Sequence, residues 1–371
     1  MLRVASVLIA IAVFVQLLRL HAEPSIADQQ ASLVFVQRAI DKGAAPRMQA
    51  LFPEGFLFTH VLCGLAGTKL EARRALDAVS TPEGRGPFSA TLDPPYGIFY
   101  AGWTTWLLGA LVALDPNDTE LVARFETSTS SIAAAFARSD SPFLAAYPGQ
   151  AWPVDSSVAM AAVALHDRIL PPKHGPLIAR WVSAVKLRLD PQTGLVPHRA
   201  DPVDGHPLEG ARGTSQSIIQ RFLPEIDPIF AAEQYSLFRE RFVVRRLGFP
   251  GVREHVEDGP ADVDSGPLVF GVSISATVVT RGAALVHGDE TLALALFQTM
   301  EVFGLPITWD GARRYGFGAL PVGDAFVAWS NGALPAQPDA PLTPWAWWWR
   351  LPAYGLSALA LGLVAWLWRR S

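Results

Sequence analysis

Two short steps of the chain carry residues suited to acid–base chemistry: Trp152-Pro153-Val154-Asp155-Ser156 and Ala261-Asp262-Val263-Asp264-Ser265. Each ends in Asp-Ser, and each stands just before an apolar run. Two facing carboxyls can cleave a glycosidic bond, one protonating the leaving oxygen while the other activates water or attacks. Asp155 is assigned as the general acid, because Trp152 and Pro153 would desolvate its carboxyl and raise its pKa. Asp264 is assigned as the base, with Asp262 beside it, and the two roles can also be reversed. Asp324 stands at a comparable place in Leu320-Pro321-Val322-Gly323-Asp324. The competing reading of Asp155, Asp264 and Asp324 is helix capping, worth about 1 kcal/mol each.

Other polar and aromatic residues gather in the same kind of loop. His198 and Arg199 follow the turn Thr193-Gly194-Leu195-Val196-Pro197 and are candidates to orient a sugar hydroxyl or hold a carboxylate. Arg212 precedes Gly213-Thr214-Ser215-Gln216, a helix start whose free N–H groups favour anions. The rival for Arg212 is a salt bridge to Glu209 or Glu225. Gln216 joins the candidate binding set. Tyr96, Tyr100, Trp103 and Trp152 have the flat faces that stack on sugars, and equally suit a core. His166 and Asp167 read as structural. No nucleophile elbow, phosphate loop or dinucleotide fingerprint is present, and histidines and carboxylates are too scattered to predict a metal site. No cofactor is expected.

Regular elements must position these loops. Gly/Pro-rich loops lead into nearly uncharged runs that open near Gly55, Gly97, Pro153, Gly213, Gly266 and Gly323. Between them lie amphipathic stretches: 27–42, 69–79, 118–138, 174–189, 231–246 and 289–303, with apolar residues at helical spacing. Asp118 and Asp289 read as acidic helix starts. Strand alternation is scarce. A helix apolar on all faces must be enclosed by protein or lipid. For the uncharged run 94–114, the acidic neighbours Asp93 and Asp115 favour enclosure by protein.

The ends of the chain differ from the middle. Residues 4–18 are apolar but for Ser6 and Gln16, between Arg3 and Arg19, and read as an anchor or a signal segment. Residues 351–368 are free of charge, preceded by Trp345, Trp347, Trp348 and Trp349 and followed by Arg369-Arg370. Indoles favour the headgroup layer and arginines the cytoplasmic side. Of 30 basic residues, five lie in or beside these segments, whereas all 34 acidic residues lie between them. The middle is therefore acidic, which offers nothing to nucleic acid. The single cysteine, Cys63, excludes an internal disulfide and a thiolate zinc cluster.

Six apolar helices alternating with six amphipathic ones suggest a closed ring. The layout resembles the (α/α)6 toroid of the six-hairpin glycosidase-like superfamily over roughly residues 28–331. The resemblance rests on repeat count and loop character. It implies an all-α toroid of inner and outer helices, with entry loops gathered at one mouth and paired carboxylates there acting as acid and base. The expected organisation is an anchor or signal segment at 1–22, an extracytoplasmic toroid at 23–335, a linker with a tryptophan belt at 336–350, and a transmembrane helix with a basic tail at 351–371. The expected activity is that of a membrane-tethered hydrolase or lyase of a carbohydrate. The alternatives are a terpenoid-type dehydratase or isomerase of a lipophilic alcohol, and a non-catalytic envelope component with protein partners. The expected topology has a periplasmic body and both termini cytoplasmic. A reporter fused to the C-terminus should then behave as cytoplasmic and one inserted near Asn331 as exported; an exported C-terminal reporter contradicts this topology.

Overall fold

Helix formation dominates the chain, and the order of contacts between helices decides where the polar loops meet. The computed structural model describes residues 2–337 and 342–370. Residues 338–341 of the expected linker and the terminal residues 1 and 371 lie outside the described residues, as do the side chains of Arg3 and Arg370. The helices are α1 (Leu2–Leu20), α2 (Ile26–Asp41), α3 (Ala44–Gln49), α4 (Gly55–Ala66), α5 (Lys69–Val79), α6 (Pro82–Arg85), α7 (Gly97–Leu114) and α8 (Thr119–Arg138). They continue with α9 (Pro153–Ile169), α10 (Gly175–Lys186), α11 (Gly213–Ile226), α12 (Pro228–Phe242), α13 (Ile274–Val286), α14 (Glu290–Phe303), α15 (Pro321–Asn331) and α16 (Leu351–Arg370).

Six of these helices are the apolar runs of the sequence. They touch in chain order, α4 to α7, α9, α11, α13 and α15, and α15 touches α4 again. The amphipathic helices pack outside them: α2 against α15 and α4, α5 against α4 and α7, α8 against α7 and α9. In the same way α10 packs on α9, α12 on α11 and α14 on α13. The apolar helices approach closely where side chains are small. A Cβ on Gly102 of α7 would stand 3.0 Å from the backbone nitrogen of Ala159 in α9.

Four apolar helices begin where the loops predict, at Gly55, Gly97, Pro153 and Gly213. Gly97 is required there: its φ is +80° and a Cβ would meet the Ala146 carbonyl oxygen at 2.3 Å. The sixth opens at Pro321, two residues before Gly323. The fifth opens at Ile274, not near Gly266. Gly266 and Gly271 have positive φ, which breaks the helix and leaves β5 (Leu268–Val269) to pair with β6 (Val272–Ser273) as a hairpin. Asp118 and Asp289 are N-caps, accepting from Leu121 N at 3.1 Å and Leu292 N at 3.3 Å.

More strand is present than the sequence suggests, all of it short. β1 (Arg199–Ala200) pairs with β2 (Pro207–Glu209), and β7 (Ile307–Trp309) with β8 (Ala312–Arg314). A four-stranded sheet joins β3 (Val243–Arg246), β4 (Phe249–Arg253), β6 and β5 in that order. The amphipathic run expected to reach residue 246 thus ends as a helix at Phe242, and its last residues form β3.

Among the described residues two helices are long and apolar enough to cross a membrane, Gly97–Leu114 and Trp347–Arg369, with equal mean hydropathy of 1.5. Their surroundings differ: 67% of the first lies buried in the body, and none of the second. α7 is thus a core helix. α16 instead packs along α1, whose apolar stretch Val4–Leu20 is shorter. The inner ends of this pair are fastened together and to the body. Arg350 Nε donates to Leu20 O at 3.4 Å, Gln298 of α14 donates to Ala22 O at 3.1 Å, and Trp349 is buried beside Leu20 and Ala295.

At the centre of the apolar helices the space is filled by rings. Trp103 of α7 meets Phe58 of α4, Phe222 of α11 and Trp329 of α15 edge-on, at 5.3, 5.4 and 5.7 Å between centroids. It is 1% exposed, so it serves as core rather than as a sugar platform. Trp103→Ala should destabilise the chain by about 4 kcal/mol, the usual cost of truncating a buried Trp. Denaturation in detergent checks this, and an unchanged midpoint contradicts it.

Candidate functional site

The first turns of the apolar helices and the loops before them carry a group of acids. Asp155 is the third residue of α9, whose N-cap position is held by Trp152 without a side-chain bond. Its carboxyl makes no hydrogen bond to any described residue, and it is 6% exposed. Capping therefore does not explain Asp155. Burial, then the charges of Glu54 and Asp264, push this carboxyl well above the usual carboxylate range.

Asp264 lies in the loop before the β5–β6 hairpin, ten residues ahead of α13. The equal repeat position expected for the two aspartates is thus replaced by a first-turn residue and a loop residue. Asp264 is not a cap either. Its side chain is exposed to water, and desolvation, Asp262 and Glu54 raise its pKa to about 6 against the pull of Arg212. Tyr147 links the group. Its hydroxyl donates to Glu54, and burial with the charges of Glu54, Asp155 and Asp264 raises its pKa. Mutual electrostatic influence thus brings Glu54, Tyr147, Asp155 and Asp264 together. Trp152 meets the Tyr147 ring edge-on at 5.9 Å.

Arg212 organises the neighbouring wall. Its guanidinium is buried, with Nε 2.8 Å from Glu254 Oε1, Nη2 2.5 Å from Asp262 Oδ2 and Nη1 3.5 Å from Glu209 Oε1. Of the two salt-bridge partners expected from sequence, Glu209 is therefore one; Glu225 pairs with Arg168 instead. Glu254 is fully buried and also accepts from Thr214 N and Oγ1, at 3.1 and 2.7 Å. Asp262 accepts from the Asp264 and Ser265 amides at 3.0 and 2.9 Å. Burial opposes ionisation of Asp262, but the Ser265 amide and Arg212 hold its carboxyl below the usual range. Asp262 therefore shapes the loop that carries Asp264.

His198 packs against Arg212. The guanidinium donates to His198 Nε2 at 3.4 Å, so Nδ1 carries the proton and donates to Ser215 Oγ at 2.5 Å. Burial and the Arg212 charge lower the pKa of His198 to about 3, so it is neutral at ordinary pH.

Other expected binding residues stand elsewhere. Arg199 is exposed on β1. Gln216 is fully buried, donating to Val196 O at 2.6 Å and accepting from Gln220 at 3.1 Å, so its amide fastens the loop before His198. The Tyr100 hydroxyl donates to Val79 O at 3.0 Å and accepts from Arg85 at 3.2 Å. Tyr96 meets the Tyr100 ring at a tilt and lies beneath the Arg85 guanidinium. Phe88 lies between Tyr100 and Tyr147, contacting both rings. Asp324 accepts the Tyr315 amide at 2.7 Å, and burial raises its pKa to about 7.

Sequence reasoning missed Glu54 and Glu254. Glu54 directly precedes the apolar run at Gly55, the same kind of place that singled out Asp155. A surface cavity of about 260 Å³ between α8 and α10, lined by Phe136, Asp140, Arg180 and Trp181, holds no carboxylate pair. The acidic group is the better candidate for chemistry. No protein-family model matches the chain, and no curated protein matches it.

The raised pKa of Asp264 has a definite stability signature. The folded protein holds this proton more tightly than the unfolded chain, so stability falls as pH rises from about 4 through about 6 and then levels. Asp264→Asn removes the ionised carboxylate. Its thermal midpoint should match the parent near pH 4 and exceed it above pH 7, while a constant difference across this range contradicts the assignment.

Proposed function

We propose that the chain is a membrane-tethered (α/α)6 toroid enzyme that hydrolyses a carbohydrate by carboxylate acid–base catalysis. The cyclic order of contacts among α4, α7, α9, α11, α13 and α15 supports the toroid. The observation that carries the activity is the contrast between Asp155 and Asp264. Asp155 is deeply buried, and burial with the charges of Glu54 and Asp264 holds its carboxyl well above the usual carboxylate range; Asp264 is reached by water and loses its proton above about pH 6. Two carboxyls pushed apart in this way divide into acid and base. Asp155 gives its proton to the glycosidic oxygen as the bond to the sugar carbon breaks. Asp264 serves the opposite role toward water or the sugar carbon. Tyr147 positions Glu54, and Trp152 offers a ring beside them.

Hydrolysis fits this wall better than the lyase chemistry also expected from sequence. Eliminating across a uronic acid calls for positive charge beside the substrate carboxylate. Arg212 is already committed to Glu254 and Asp262, and His198 is neutral. The excess of carboxylates fits a neutral or amino sugar. It also disfavours a terpenoid site, which would be lined by apolar groups.

The side-by-side packing of α1 and α16 supports the tether. Their ends at Leu20 and Leu351 meet at the body, and their other ends, at Leu2 and Arg370, point away from it. With Arg3, Arg369 and Arg370 at those ends, the reading puts both termini in the cytoplasm and the body outside.

Asp155→Asn and Asp264→Asn each keep side-chain shape but remove the titrating carboxyl. With the full chain and a panel of neutral and amino-sugar glycans, each variant should fold normally and lose roughly two or more orders of magnitude in rate of reducing-end release. The parent rate should fall as pH drops below about 6, where Asp264 takes up its proton. Near-normal rates in both variants contradict the reading.

A further inference from the structure

Three hairpins in this body turn through two residues of positive φ: Leu247-Gly248, Phe270-Gly271 and Asp310-Gly311. Such turns favour Asn or Asp at the first place, because their short polar side chains tolerate left-handed backbone. Asp310 follows that rule, and its carboxylate meets Arg38 of α2 at 2.9 Å. Leu247 and Phe270 break it. Both are bulky, both sit at φ +52°, and they are 68% and 67% exposed. Strain and exposure together are doubly unfavourable in water, and they invite an occupant that is not water.

The place of the two tips identifies that occupant. Gly248 packs so tightly on the start of α16 that a Cβ would meet Pro352 at 2.7 Å. Arg245, two residues before Leu247, stacks over Trp348 at 3.8 Å and Trp345 at 4.5 Å, the indoles that precede α16. Arg246 Nε donates to Phe270 O at 3.1 Å, tying the second tip to the first. On the same side, Phe303 is 61% exposed and packs on Phe249, which in turn contacts Trp349.

We propose that Leu247 and Phe270 insert into the outer boundary of the phospholipid bilayer around the root of α16, with Arg245 and Arg246 at the level of the lipid phosphates. This rests on the reading of α16 as a membrane span. Apolar tips with arginines behind them suit this layer, because the side chains enter the acyl boundary while the guanidinium groups meet phosphate. The insertion also orients the acidic site. Glu254, which holds Arg212, donates its backbone amide to Gly271 O at 3.1 Å in the Phe270 hairpin. The wall of the candidate site is therefore coupled to the inserted tip, and its substrate would be met close to the headgroups.

The test uses the full chain in vesicles of phosphatidylcholine and phosphatidylglycerol. A thiol-reactive fluorophore is placed at Leu247→Cys or Phe270→Cys; the native Cys63, 4% exposed, is shielded from label. Leu359→Cys in α16 reports on the span, and Leu187→Cys, 84% exposed after α10, reports on solvent. Nitroxide quenchers are carried on the lipid headgroup or deep on the acyl chain. The labels at 247 and 270 should lose fluorescence to the headgroup quencher, the label at 359 to the deep quencher, and the label at 187 to neither. Quenching at 359 with 247 and 270 behaving like 187 overturns the insertion and leaves the anchor standing. A label at 359 that neither quencher reaches overturns the anchor and the insertion together.

Discussion

Everything in this molecule follows from helices that have no polar face to give to water. α7 and α9 are apolar around nearly their whole circumference, so each must be enclosed by protein on all sides. A single layer cannot do this. The apolar helices touch one another in a closed order, and the amphipathic helices cover their outer faces. Trp103, with Phe58, Phe222 and Trp329, fills the space that remains between them. The first turns of these helices and the loops that enter them are one place where polar groups gather.

That enclosure sets the chemistry. Asp155 stands where no described residue hydrogen-bonds its carboxyl, and two nearby carboxylates make ionisation costlier still. The arrangement is unfavourable for stability, and carboxyls held this way are a feature of functional sites. On the other wall Arg212 holds Glu254 and Asp262 in place, and Asp262 in turn binds the amide of Asp264. The acids near Arg212 are spent on structure, while the carboxyls of Asp155 and Asp264 accept no hydrogen bond from any described residue.

The helical pairs were legible because uncharged runs alternate with amphipathic ones, and Gly or Pro marks every apolar start but the fifth. Gly55, Gly97, Pro153 and Gly213 mark helix starts for a local reason, their backbone or their crowding. Ile274 was not legible as a start, because the hairpin ahead of it is as apolar as the helix and its turns only show in φ. The site was legible in part. Asp155, Asp264, Trp152, His198, Arg212 and Asp262 stand near one another, but Tyr100 and Gln216 spend their polar atoms on carbonyls that no local pattern reveals. Glu54 was not legible, because its partner Tyr147 is 93 positions away. The two exposed apolar hairpin tips were hidden for a related reason: the positive φ of Leu247 and Phe270 shows only in the backbone.

The central claim is that Asp155 keeps its proton at neutral pH while Asp264 has lost its own. Infrared difference spectroscopy of the full chain in detergent, comparing the parent with Asp155→Asn at pH 7, measures this directly. The account predicts a protonated-carboxyl carbonyl band in the parent that vanishes in Asp155→Asn and persists in Asp264→Asn. A parent spectrum in which Asp155 contributes only a carboxylate band would contradict it.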